Sequence, residues 1–209
     1  MKKEEKFPKA ATMFVQLMEN NMTEENSGDF LAVIDGAMER RSWIHAQDKR
    51  ATYVKLITAA LKHRDLFGES LGWKMALWDF DVLKHGTLFT DDSYGFPSAC
   101  NAVQYEIETR LTALNGGAAV GGLGSPKMAP AVPGSVEYIR RKAWETAIMA
   151  ALTTVAARNK FPWAKVPVAK IVAKAYEMRY TFANAEHKAQ VERWQRMVLA
   201  SNSSNLPSY

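Results

Sequence analysis

The 209-residue chain contains one cysteine, Cys100. A single thiol excludes an internal disulfide and most cysteine-based zinc sites, and it fits a reducing compartment. No apolar run approaches the roughly 20 residues needed to cross a bilayer, and no apolar stretch follows the lysines of "MKKEEKFPKA". Neither a signal peptide nor a membrane contact is therefore expected, and the cytoplasm is the expected location, or a virion if the protein is viral. The sequence also lacks period-two alternation of useful length, which removes sheet-based folds. None of the histidines at 45, 63, 85 and 187 falls in an HExxH spacing, so no pair of imidazoles is set on one helical face and no metal ligand is assigned.

Hydrophobic residues at 47% and charged residues at 23% suit a globular chain. Apolar side chains recur at three- and four-residue steps almost throughout, which predicts an all-α protein of about eight helices. "FPKAATMFVQLMENN" places Pro8 at a helix start and Ala11, Phe14, Leu17 and Met18 on one face. Phe30, Val33, Ile34, Ala37 and Met38 mark the next core face, and Val54, Ile57 and Leu61 the one after, with Gly68 as a stop. A further helix is expected to end at Gly86, followed by a loop through Pro97 and a helix marked by Val103, Ile107, Leu111 and Leu114. Beyond Ser135, a helix cap, Val136, Ile139, Ala143, Ala147, Ala151 and Val155 share a stripe. Two more helices are marked by Val168 to Tyr176 and by Trp194 and Val198.

Between these sets lies "NGGAAVGGLGSPKMAPAVPG", residues 115–134. A phosphate-binding loop needs a Gly-Lys-Ser/Thr run after a strand, and its sole lysine, Lys127, follows Pro126 instead. The stretch reads as a flexible linker joining an N-terminal helical lobe, 1–114, to a C-terminal lobe, 135–209, with a polar tail. As a coil its 20 residues span about 25 Å on average.

Three shorter motifs are set aside on context. "GESLG" around Ser70 imitates a nucleophile elbow but follows a helix rather than a strand. "HRD" at 63–65 lacks every other part of a kinase site. Asp79 and Asp81, with His85 one turn on, could face a cation, but residues two apart on a helix point about 200° apart. That spacing predicts a solvated face, and no catalytic residue and no cofactor is assigned.

Charge is distributed unevenly. Residues 1–114 hold 14 Lys and Arg against 17 Asp and Glu, whereas 115–209 hold 13 against 5. The halves are thus −3 and +8, which points to an anionic partner for the second. Lys170 and Lys174 lie one turn apart, Arg140, Arg141 and Lys165 add cations nearby, and Trp163 and Tyr176 are interleaved. Cations along a backbone and aromatics for bases are what a single-strand binder requires. The expectation is a non-enzymatic nucleic-acid-associated structural protein, such as a coat or nucleocapsid subunit or a small subunit of a nucleoprotein complex. Arg140, Arg141, Lys165, Lys170 and Lys174 would take phosphates and Trp163 and Tyr176 would stack on bases. The N-terminal lobe would make contacts to a protein partner or drive self-assembly. The alternative is a helical interaction module, an adaptor or inhibitor, without nucleic acid.

Overall fold

A computed structural model describes residues 6–68, 71–114 and 132–203. The described residues form nine α-helices and no strand, so the fold is all-α. None of these helices is long and apolar enough to cross a membrane. The chain divides into two compact units, Met1–Gly86 and Thr87–Tyr209.

In the first unit, α1 (Phe7–Asn21) starts with Pro8, whose missing N–H has no helical partner to lose. It packs against α4 (Arg50–Lys62), with α2 (Ser27–Met38) and the single turn α3 (Arg41–Ile44) between them in sequence. Helix α4 gives way to a tight turn that stops at Gly68, where φ is +72°, a conformation glycine adopts without strain. Helix α5 (Gly72–Trp78) then widens into a π-helical segment, Asp79–Lys84, before a 3-10 turn at His85–Leu88. Met18, Ile34, Ile44, Tyr53, Ile57, Met75 and Trp78 form the buried core. Two residues expected inside are outside, Leu17 at 52% and Val33 at 52% exposure, and Val54 sits at the surface. The apolar stripes are wider than the strip each neighbouring helix covers, so their margins stay wet.

The second unit holds α6 (Gly95–Leu114), α7 (Val136–Ala157), α8 (Lys165–Glu177) and α9 (Ala185–Ser203). Helix α8 packs on the other three. Val103, Ile107, Leu111, Leu114, Ala147, Ala151, Val155, Val168, Ile171, Val172, Ala175, Trp194 and Val198 are buried as expected, whereas Val136 and Ile139 in the first turns of α7 are exposed. The loop expected through Pro97 ends earlier. Asp92 Oδ1 accepts from the Tyr94 N–H at 2.9 Å and the Asp92 carbonyl accepts from the Phe96 N–H at 3.0 Å. Helix α6 therefore opens at Gly95, and Pro97 falls in its first turn, where proline is tolerated. Pro167 plays the same part in α8, which begins at Lys165.

Helix α6, which precedes residues 115–134 in the sequence, packs on α7 and α8, and the compact units meet at Gly86. The apolar face of Val103, Ile107 and Leu111 has its partners in those helices. Residues 115–131 of the expected linker, like Ser70, lie outside the described residues. Counted by unit, 1–86 carries 13 cations and 13 acids and 87–209 carries 14 and 9, so the net charges are 0 and +5.

Candidate functional site

The second unit places the expected phosphate ligands in two settings. Helix α7 opens with Ser135, whose side chain accepts from the Tyr138 N–H at 3.1 Å. Arg140 and Arg141 follow within two turns, where the helix dipole disfavours positive charge. Arg141 is turned away from that end: its Nη2 donates to the carbonyl of Leu114 at 3.3 Å, at the negative end of α6, and its Nε lies 3.9 Å from Glu145 Oε1. Arg140 remains half-exposed in the same helix.

The α8 cations face α6. Lys170 Nζ donates to Asn101 Oδ1 at 3.0 Å, while Lys174 Nζ sits 3.7 Å from Glu108 Oε2 and 3.3 Å from Glu177 Oε2. The hydrogen bond to Glu177 and the charge of Glu108 raise the Lys174 pKa above the usual lysine value. Lys165, at the start of α8, is half-exposed. Glu108 of α6 and Glu177 of its own helix thus engage Lys174, while Lys165 and Lys170 face solvent in part.

The two expected stacking groups are already in ring contacts. Trp163 stacks on Phe161 with centroids 5.6 Å apart and meets Phe96 edge-on at 5.4 Å. The Arg179 guanidinium lies 3.9 Å from the Tyr176 ring and 4.1 Å from that of Tyr180. Tyr180 is the open aromatic here, with 72% exposure.

A cleft of about 410 Å3 opens around Glu145, bordered by Tyr138, Arg141, Lys142, Thr146 and His187. Glu145 is buried and its carboxylate accepts the N–H groups of Ala183 at 2.6 Å and Asn184 at 3.3 Å, with His187 Nδ1 at 3.2 Å. These contacts tie α7 to the start of α9. Arg141 and Lys142 line the same cleft, so it carries two cations against the one carboxylate of Glu145 and favours an anion over a cation. The Thr146 hydroxyl donates to the Lys142 carbonyl at 2.8 Å, within its own helix.

No family model, curated protein or solved structure matches the chain.

The first unit contains a cluster that the sequence reading missed. Asp79 and Asp81 do diverge, and Asp79 pairs with Lys84 at 3.6 Å. The expected solvated face is nevertheless incorrect for Asp81 and His85, which are 0% and 1% exposed. Asp81 in the segment Asp79–Lys84 and His85 just after it are both turned inward, where they meet His45 at the end of α3. Asp81 Oδ1 lies 3.5 Å from His45 Nε2 and 3.7 Å from His85 Nδ1, and Arg41 Nη1 donates to Asp81 Oδ2. The two imidazole rings are 3.9 Å apart between centroids. Burial works to raise the Asp81 pKa, but the flanking imidazoles and the Arg41 charge outweigh it and hold the carboxyl well below its usual range. Burial, with the His45 and Arg41 charges, pushes His85 down against the pull of Asp81. The four-residue spacing of Asp81 and His85 was visible in the sequence, while the approach of His45 needed the fold.

Proposed function

We propose that the protein is a non-enzymatic structural component of a nucleoprotein assembly, with unit 87–209 lying along the phosphate backbone of a single-stranded nucleic acid. The observation that carries this reading is the cation surplus that remains after internal pairing. Lys142, Lys160 and Lys170 stand at exposed positions and Arg140 and Lys165 at half-exposed ones, in a unit of net charge +5. Exposed Tyr180, backed by Arg179, supplies a face on which a base can stack, a role expected of Trp163 and Tyr176 from the sequence. Arg141 and Lys142 beside the Glu145 cleft add a place where a phosphate would be held.

Titration of a labelled single-stranded oligonucleotide with nuclease-treated protein at increasing salt tests the reading. Each phosphate neutralised on a single strand contributes a slope of about −0.7 in log K against log salt, so three or four contacts give roughly −2 to −3. Absence of binding at low salt would overturn it.

A second reading, a helical protein-interaction module, draws support from a different observation. Met13 and Leu17 are exposed one turn apart on α1. Mass under native conditions, with and without a Leu17→Glu substitution, separates the two: self-association lost in the variant and no affinity for oligonucleotide would favour the module.

A further inference from the structure

We propose that His45, Asp81 and His85 bind one divalent transition-metal ion, with Zn2+ the best chemical match, inside the first unit. Their donor atoms lie within 4.8 Å of one another, the one such grouping of three among the described residues. At 3.5 and 3.7 Å, the separations between Asp81 Oδ1 and the two imidazole nitrogens exceed the hydrogen-bond range of roughly 2.7–3.2 Å. They are close to the donor–donor edge of a tetrahedral ion, which for bonds of about 2.0–2.1 Å is roughly 3.3–3.4 Å. The two imidazole donors lie within 4.8 Å of each other, so the rings would have to close toward one another to complete three bonds.

The second observation is Asp81 itself. Its side chain is 1% exposed, and its Oδ1 is held by the two imidazoles alone, at 3.5 and 3.7 Å. A buried carboxylate oxygen met only by long contacts is poorly satisfied, and an ion at this point would satisfy it. Arg41 does not compete for that oxygen, because it holds Oδ2. A guanidinium in that place fixes the orientation of a ligating carboxylate, as outer hydrogen-bond partners do at metal centres. Asp81 lies within the π-helical segment Asp79–Lys84 and His85 directly follows it, and such local widening recurs at functional sites.

The donor set narrows the ion. Two imidazoles and one carboxylate suit Zn2+ and its neighbours, whereas Mg2+ and Ca2+ prefer all-oxygen shells and Cu+ prefers thiolates. Three protein donors leave one tetrahedral position. His45 is the most exposed of the three, with 19% of its side chain accessible, so water or another small ligand would enter from its side. Arg41 adds positive charge beside the ion, which sets the expected affinity below that of a thiolate site.

The test uses the full chain with no histidine tag, stripped with chelator, exposed to Zn2+ and dialysed. One equivalent of zinc by elemental analysis is expected, and Co2+ in its place should give the visible absorption of a tetrahedral centre. His45→Ala, which removes a direct ligand, should lose on the order of 100-fold or more. His63→Ala, outside the cluster, should retain the full equivalent. Sub-stoichiometric zinc and no tetrahedral cobalt band in the unaltered chain would overturn the proposal whether or not any variant folds. Retention of the metal by a folded His45→Ala variant would overturn it as well.

Discussion

Tyr53 shows how a single buried side chain acquires a charge-state role from its setting. Its ring is fully buried and its hydroxyl donates to the Ala37 carbonyl at 2.9 Å, tying α4 to the end of α2. Burial raises its pKa to about 12, against a small opposing effect of the Arg40 charge. Between pH of about 10 and 12 the unfolded chain releases a phenolic proton that the folded chain keeps. The stabilisation is therefore complete below about pH 10 and is lost as pH rises toward 12. Tyr53→Phe should cost about 1 kcal/mol at pH 7 through the lost hydrogen bond and should flatten the decline across this window. Denaturant unfolding of both proteins at pH 8 and pH 11 checks it, and equal losses at high pH would remove Tyr53 from the explanation. Cys100 follows the same logic, since burial pushes its thiol up to about 12 and leaves it protonated at neutral pH.

At the scale of elements, helices here are joined by polar residues as well as apolar faces. Glu145 on α7 gathers two backbone N–H groups and one imidazole at the start of α9. Glu145→Ala would leave those donors without their acceptor, at an expected cost of about 3 kcal/mol. Glu145→Gln keeps one acceptor oxygen and should lose roughly half as much. Urea unfolding measures both, and a loss below about 0.5 kcal/mol for the alanine variant would show that the contacts contribute little to stability. In the sequence Glu145 is one acid among alanines, with no period or motif marking it. Its importance comes from Ala183, Asn184 and His187, which lie about 40 residues away in the chain.

For the molecule as a whole, the distribution of charge follows the packing of α6. In the sequence, Glu106 and Glu108 belong with the first 114 residues and deepen a contrast of −3 against +8. In the fold Glu108 faces Lys174, and the contrast between units becomes 0 against +5. The proposed function then makes a comparative prediction. Reversing Lys142, Lys165 and Lys170 together should flatten the salt dependence of oligonucleotide binding by about 2 in log–log slope, while reversing Lys9 and Lys55 in the first unit should leave it unchanged. Equal effects from both sets would show that general charge, not this unit, governs binding.

Helix type and most helix positions follow from the sequence alone, because a 3.6-residue period and capping residues such as Ser135 and Gly68 act locally. The stripe Val103, Ile107, Leu111 and Leu114 was legible for that reason and is buried throughout. Which neighbour covers a stripe is not a local property. Leu17, Val33, Val136 and Ile139 have the period of core residues and lie outside, and α6 packs within the unit 87–209. Asp81 and His85 carried a readable spacing, yet only the packing of α3 brings His45 to them and excludes water from the carboxylate. The sequence by itself thus determined an all-α chain with a basic second half. The tertiary structure decided which cations stay at the surface and which carboxylates are buried, because those depend on contacts between residues far apart in the chain.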